Sequence, residues 1–194
     1  MFVLLEQLLA LRQVSFEKGR IKIFEQPSSL IPSQSFVSML KELEKQGKEN
    51  VIYNAGKDAG EKWFESMRKK SSLNVDDVEK WGSGIVTLAG WGEAVLKEMR
   101  RDEGYMVYNL NKSIVAELYG KSDHCVDHMF RGLVAGAAKV TFKKDVDCIE
   151  TKCVAKGDLT CEFIIQPKQK FDKKNPLVKK QLKWTKNLNQ ILVE

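Results

Sequence analysis

Four cysteines are the residues of this 194-residue chain whose type and spacing point most directly to chemistry: Cys125, Cys148, Cys153 and Cys161. Thiolates are favoured ligands of Zn²⁺, which binds sulfur at about 2.3 Å in a tetrahedral shell. In a reducing compartment, clustered thiols more often bind metal or carry out redox chemistry than form disulfides. The alternative interpretation is structural, because free cysteine is also among the most deeply buried residue types.

A tight β-hairpin predicted near residues 145–166 brings two of these sulfurs to one point. Cys153 and Cys161 lie on opposite limbs of its turn. A helix predicted from about Cys125 to Lys139 supplies a third sulfur at its start, where the helix N-terminus stabilises a thiolate. The pattern therefore predicts a zinc site that joins the hairpin to this helix.

The fourth ligand of this predicted site stays open between Glu150, Cys148 and His128. Glu150 precedes Cys153 by three residues, and a regular strand would direct the two side chains to opposite faces. Both can bind one ion only if the strand bends or bulges between them. Cys148 has the same parity problem, whereas His128 lies one helical turn after Cys125 and would share its face.

The elements that must position these side chains alternate between helices and hairpins. We predict a helix over 2–13, a hairpin over 14–24, a loop bracketed by Pro27 and Pro32, helices from Ser33 or Ser35 to Gly47, over 49–70 and from Asn74 to about Trp81, and paired strands over 93–100 with 105–111 and over 145–153 with 160–166. This order predicts a mixed α/β (α+β) domain with helices packed on a small antiparallel sheet.

Small residues four apart mark two of the predicted helices. Gly56 and Gly60 interrupt the helix over 49–70 at a cost of about 1 kcal/mol each relative to alanine. We expect them to let another element approach closely, which would offset that cost. Gly132 and Gly136 have the same spacing on the helix that follows Cys125.

The net charge of +6 lies entirely in the C-terminal tail, because residues 167–194 hold eight Lys and two acidic residues, and eight minus two is six. The remaining body is neutral, which argues against nucleic acid as the main partner. No apolar run approaches the roughly 18 residues that span a bilayer, and no basic leader precedes the apolar start. We therefore expect a cytoplasmic protein without a membrane span.

A set of aromatic side chains is a candidate lining for an apolar pocket: Trp63, Trp81, Trp91, Tyr105, Tyr108 and Phe130. Ligand pockets are mostly apolar with a few polar groups. Aromatic residues at helical or strand spacing more often belong to the core, so each of them has that alternative interpretation.

The segment that carries the sulfurs resembles the 4-vinyl reductase domain family. The family pattern is a cysteine, two helix glycines, Glu-x-x-Cys, a glycine and a final cysteine. Here it reads Cys125, Gly132, Gly136, Glu150, Cys153, Gly157 and Cys161. The resemblance covers about residues 50–166, and the N-terminal part is similar to stand-alone archaeal members.

The resemblance implies the fold shared by haem-nitric-oxide-binding domains and TRAPP tethering-complex subunits, and a domain that binds small, mostly hydrophobic molecules. Aromatic-sensing activators of the family hold zinc with three cysteines and a glutamate, which match Cys125, Glu150, Cys153 and Cys161. We therefore expect a zinc-containing sensor or regulatory subunit. The alternatives are a subunit of a vinyl reductase and a TRAPP-like scaffold.

The resemblance also divides the chain into three parts. Residues 1–32 form an N-terminal helix and hairpin, whose apolar surface predicts a homodimer. Residues 33–166 are the ligand-binding domain, and residues 167–194 are the basic tail, with a helix expected from Asn175-Pro176.

Catalysis by the chain alone is not expected. His124 and His128 flank Cys125, but no Ser-His-Asp order or G-x-S-x-G elbow accompanies them. The glycines of residues 82–92 match neither a P-loop nor a dinucleotide-binding fingerprint. Four available protein ligands favour a closed, structural zinc site over a catalytic one.

Overall fold

The computed structural model describes residues 13–71 and 75–182. The described helices are α1 (Ser33–Lys45), α2 (Glu49–Ser71), α3 (Val75–Leu88), α4 (Ile114–Tyr119), α5 (His128–Phe142) and α6 (Pro176–Gln181). The helix predicted over 2–13 lies outside the described residues, as does the tail beyond Leu182. No helix in the described part of the chain is both long and apolar enough to cross a membrane.

The strands form two antiparallel sheets. They are β1 (Val14–Glu17), β2 (Arg20–Ile23), β3 (Gln26–Ser28), β4 (Glu93–Arg100), β5 (Tyr105–Asn111), β6 (Val146–Lys152) and β7 (Cys161–Pro167). The first sheet has the order β1-β2-β3 and the second the order β4-β5-β7-β6. The predicted mixed architecture, with helices packed on an antiparallel sheet, is confirmed.

The two predicted hairpins of the larger sheet are confirmed. β4 and β5 have the predicted bounds, and a short 3₁₀ turn ending at Gly104 joins them. Gly104 has φ of 66°, a left-handed conformation that glycine adopts without steric cost. β6 pairs with β7, and β7 lies between β5 and β6. The hairpin that carries Cys153 and Cys161 is therefore anchored on both of its strands.

The N-terminal sheet extends the predicted hairpin by one strand. β3 follows a turn at Phe24 and Glu25, whose φ values of 48° and 65° reverse the chain immediately after β2. Phe24 is fully buried in a small cluster with Phe64, Met67 and Ile85. Burial of this ring is the reason that the segment, predicted as a loop beginning at Pro27, folds back on β2.

Helices α2 and α5 pack closely through their glycines. A Cβ atom at Gly60 would collide with the Leu133 carbonyl, and one at Gly136 would collide with the Lys57 carbonyl. Gly56 and Gly132 approach each other in the same interface. The prediction that small residues four apart admit a neighbouring element is therefore confirmed, and this contact fixes α5 beside the larger sheet.

Two predicted helix boundaries are wrong. The piece predicted to end near Trp81 continues to Leu88 because Ile85 is buried on the Phe24 cluster, and this outweighs the two glycines within the helix. The helix predicted from Cys125 begins at His128. Cys125 and Val126 precede it in a non-helical segment that is buried against the cysteine hairpin.

The start of the basic tail docks on the main core. The predicted helix is confirmed over α6, where the Asn175 side chain accepts a hydrogen bond of 2.9 Å from the Leu177 N–H. Phe171, Val178 and Leu182 are buried in the core cluster of the larger sheet. The lysines of this part of the chain therefore decorate a docked segment.

Candidate metal centre

A bulge in β6 aims two consecutive parts of the hairpin at one point. The pairing of β6 with β7 shifts register between Glu150 and Lys152, so Thr151 is the extra residue. This is the bulge that a joint role for Glu150 and Cys153 requires. After Cys153 the chain turns tightly, and the Asp158 carboxylate accepts a hydrogen bond of 2.8 Å from the Cys153 N–H.

Four acidic and sulfur-bearing side chains converge below this bulge. One ligand atom from each of Asp127, Glu150, Cys153 and Cys161 lies within 4.8 Å of the others, and all four residues are buried. We call these four residues together with Cys125 the sulfur cluster. Elements distant in sequence therefore meet around a single small volume.

Cys125 adjoins this volume from the segment before α5. Its Sγ donates a hydrogen bond to the Glu150 carbonyl at 3.3 Å, and the residue is 4% exposed. Hydrogen bonds with the thiols of Cys125 and Cys161 lower the pKa of Cys153 below that of a free thiol. The same hydrogen bonds, with burial, raise the pKa of Cys125 and of Cys161. One thiolate is thus held between two thiols.

Asp127 is the member of the sulfur cluster that the sequence reasoning missed. The Ser113 hydroxyl lies 2.8 Å and 3.0 Å from its two carboxylate oxygens, and its own N–H donates to Glu150 Oε2 at 3.1 Å. The available signal was its position two residues after Cys125. A helix beginning at Cys125 would have directed Asp127 elsewhere, and the later helix start brings it into the cluster.

The donor set fits a zinc ion. Glu150 Oε1 is buried and has no hydrogen-bond partner, although Oε2 has one. Burial raises the pKa of Glu150 well above its ordinary value, and the neighbouring Asp127 raises it further. A divalent cation would supply both the missing partner and the compensating charge. Three sulfurs and a carboxylate form a ligand set that Zn²⁺ accepts.

The other two candidates for the fourth ligand lie outside this group. Cys148 Sγ faces the Ile149 carbonyl at 3.7 Å, and its N–H donates to the Tyr53 hydroxyl at 3.1 Å. His128 Nε2 lies 2.9 Å from Glu44 Oε1. Geometry therefore places Glu150, rather than either alternative, beside the sulfurs.

Residues 106–167 match the family model of the 4-vinyl reductase domain. The stretch runs from β5 to the end of β7 and includes every member of the sulfur cluster. The resemblance to the 4-vinyl reductase domain family, first drawn from the cysteines and glycines, is confirmed over these residues.

Relatives of known sequence or structure extend beyond the 4-vinyl reductase domain. An uncharacterised protein from Methanocaldococcus jannaschii is 29% identical over 125 residues, which are 64% of this chain and 68% of that protein. The crystal structure of a vinyl-4-reductase family protein from the same organism has a TM-score of 0.51 at 17% identity, covering 72% of this chain and 83% of that one.

The fold is also that of a sensory domain. The phenol-responsive sensory domain of the transcription activator PoxR, solved with phenol, has a TM-score of 0.77 at 18% identity, covering 93% of this chain and 96% of that one. The expected likenesses to TRAPP subunits and haem-nitric-oxide-binding (H-NOX) domains are present at TM-scores of 0.49 and 0.44, too distant for a functional conclusion.

Helix α6 contacts the 4-vinyl reductase domain at the backbone of Glu150. The Gln181 amide donates to the Glu150 carbonyl at 2.7 Å and accepts from the Glu150 N–H at 2.8 Å. The Arg131 guanidinium, itself 4.4 Å from the centroid of the Tyr53 ring, donates to the Gln181 carbonyl at 2.9 Å. The docked tail therefore continues the pairing of strand β6 at the bulge.

The aromatic pocket candidates lie in separate places. Trp91 and Phe130 have ring centroids 6.4 Å apart and join Tyr108 in the core cluster of the larger sheet. Trp63 packs edge-on against Phe24 in the smaller cluster. Tyr105 lies under the Arg100 guanidinium at 4.0 Å. The side chain of Trp81 lies outside the described residues.

Proposed function

We propose that this protein is a zinc-containing module that binds a small hydrophobic or aromatic molecule and acts as a sensor or regulatory subunit. The observation that carries the proposal is the sulfur cluster, with its unpartnered Glu150 oxygen, within a 4-vinyl reductase domain. The match of nearly the whole chain to the fold of a phenol-responsive sensory domain supports the small-molecule part.

Zinc in this proposal has a structural role. Cys125, Glu150, Cys153 and Cys161 would hold the ion, and Asp127 would accept hydrogen bonds beside it. The bound ion would neutralise the thiolates and join the hairpin to the segment before α5. Its binding free energy would thereby become part of the folding free energy.

The ligand site is proposed near Trp91, Tyr108 and Phe130. These rings lie in the core cluster between the helices and the larger sheet. The Ser83 hydroxyl lies 3.3 Å from the Tyr108 hydroxyl, which provides a polar group at the edge of an apolar region. A flat apolar molecule with one hydroxyl has the chemistry that such a region recognises.

A homodimer and a cytoplasmic location complete the proposal. Phe16 is 69% exposed on β1, an apolar surface that a second copy of the chain would cover. Light scattering should give twice the mass of one chain, and Phe16→Ser should give a monomer; a monomeric parent protein would contradict the dimer. The four cysteines are free, as expected in a reducing compartment.

Native mass spectrometry of the purified protein tests metal, ligand and subunit number together. We expect about one zinc per chain, absent from Cys153→Ser and retained by Cys148→Ala, which removes a buried thiol outside the cluster. A metal-free protein whose Cys153→Ser variant is as stable as the parent would refute the zinc centre. A molecule retained after purification, or phenol that raises the melting temperature, would support the sensor.

A vinyl reductase subunit is a second candidate, favoured by the likeness in fold to a vinyl-4-reductase family protein. It requires a partner that supplies the reducing equivalents. Reduction of a vinyl substrate only when a partner protein and a nicotinamide or flavin cofactor are added would favour this candidate over the sensor.

A further inference from the structure

A second group of metal-binding side chains lies beside the sulfur cluster and has no part in it. Glu44 of α1, His124 of the segment before α5, and His128 at the start of α5 each offer one ligand atom, and these atoms lie within 4.8 Å of one another. We propose that this group, the imidazole cluster, is an exchangeable site for a first-row divalent transition-metal ion such as Zn²⁺, Co²⁺ or Ni²⁺.

Both imidazoles of this cluster converge on a single carboxylate oxygen. Glu44 Oε1 lies 2.9 Å from His128 Nε2 and 3.6 Å from His124 Nε2. An ion bound at about 2.0–2.2 Å from each ligand separates its ligand atoms by about 3 to 3.5 Å. The three side chains therefore need only small adjustments to enclose an ion.

Neighbouring groups already orient two of the three ligands. His124 Nδ1 lies 2.6 Å from Asp123 Oδ1 and 3.1 Å from the Ser122 hydroxyl. A histidine that donates its Nδ1 proton to a carboxylate presents the Nε2 lone pair to a metal. The Tyr119 hydroxyl donates to Glu44 Oε2 at 2.6 Å, which leaves Oε1 for the ion.

His128 provides an independent observation. The residue is 5% exposed, and its Nδ1 is buried without a hydrogen-bond partner. The hydrogen bond to Glu44 alone does not satisfy this buried ring. A metal bond at Nε2 would add an interaction that a network of hydrogen bonds lacks at this position.

The site is open on one side. A cavity of about 120 Å³ is lined in part by His124, His128 and Asp123. The His124 side chain is 26% exposed, whereas those of His128 and Glu44 are 7% and 8% exposed. Three protein ligands next to a cavity leave a coordination position for water, the arrangement of an exchangeable site.

Cobalt titration of the untagged protein, loaded with its resident zinc, tests this proposal. Co²⁺ bound to imidazole and carboxylate gives weak visible absorption, whereas Co²⁺ bound to thiolate gives strong charge-transfer bands in the near ultraviolet. We expect one additional Co²⁺ per chain with the weak spectrum only. This spectral difference separates the result from any failure of the zinc proposal.

Two variants identify the ligands. His124→Ala removes a partly exposed side chain, so the protein should fold, and Co²⁺ affinity should fall at least tenfold. Glu44→Gln should have the same effect, while Lys45→Ala, an exposed change next to it, should have none. Absence of weak-spectrum binding in the parent, or binding unchanged in both ligand variants, would overturn the proposal. Stabilisation by inorganic phosphate without Co²⁺ binding would also overturn it, in favour of an anion site near Lys156 and Lys180.

Discussion

The sulfur cluster and the imidazole cluster use opposite sides of one five-residue segment, His124–His128. Cys125 and Asp127 belong to the first cluster, and His124 and His128 belong to the second. The sulfur cluster consists of buried thiols and carboxylates, while the imidazole cluster includes a histidine side chain that is 26% exposed. Burial and soft ligands suit a permanent structural ion, whereas exposure and imidazole suit an exchangeable one.

The largest expected effect is the loss of the ion from the sulfur cluster. If free zinc is about 1,000-fold above its dissociation constant, binding to the folded state alone stabilises it by about 4 kcal/mol. Removing zinc with a strong chelator should lower the free energy of unfolding by that order, measured by urea denaturation. His124→Ala should retain this loss, because it leaves the sulfurs intact. Equal stability with and without chelator would contradict a structural ion.

The glycine interface between α2 and α5 should matter almost as much, because it positions the helix that begins at His128. Gly136→Ala forces a Cβ atom into the Lys57 carbonyl, and such overpacking costs about 1–3 kcal/mol. Urea denaturation should show this loss, together with weaker Co²⁺ binding at the imidazole cluster.

Gly82→Ala is the matched control for this interface. Its Cβ atom would lie 3.4 Å from the Phe64 ring, which is ordinary contact. Alanine also gains up to about 1 kcal/mol over glycine inside a helix. We therefore expect Gly82→Ala to be neutral or stabilising, and a loss equal to that of Gly136→Ala would show that the interface is not special.

The predictable parts of this molecule are those that local spacing determines. Strands β4 and β5 have their predicted bounds because turn residues and alternation lie within one short segment. The bulge at Glu150 was predicted as a condition, since side-chain parity requires it if Glu150 and Cys153 are to meet. Its presence shows that a chemical hypothesis can predict a departure from regular structure.

The parts that escaped prediction depend on long-range packing. Nothing local indicates that α5 begins at His128 rather than Cys125, because the buried position of Cys125 depends on a hairpin 25 residues later. The strand β3 depends on burial of Phe24 against α2 and α3. The imidazole cluster was invisible for the same reason, since Glu44 meets the histidines only in the folded chain.

Gln181→Ala should have a moderate effect confined to the sulfur side of the comparison. It removes two hydrogen bonds to the Glu150 backbone, each worth about 1 kcal/mol. Zinc should dissociate faster, measured by chelator competition, while Co²⁺ affinity of the imidazole cluster stays unchanged. Lys179→Ala, an exposed change on the same helix, is the control. An equal effect of both variants would show that α6 contributes only by general docking.

The smallest effect is expected at Glu162, which faces the bulge from β7. Its carboxylate accepts hydrogen bonds from the Thr151 hydroxyl at 2.8 Å and from Lys152 Nζ at 2.9 Å. Glu162→Gln keeps an acceptor for Thr151 but loses the charge opposite a half-exposed lysine, and exposed pairs contribute about 0–1 kcal/mol. The free energy of unfolding should fall by less than about 1 kcal/mol, with zinc retained. A larger fall, or a loss of zinc, would mean that this ion pair, rather than the backbone pairing and the metal ligands, holds the bulge in the conformation that brings Glu150 to the sulfurs.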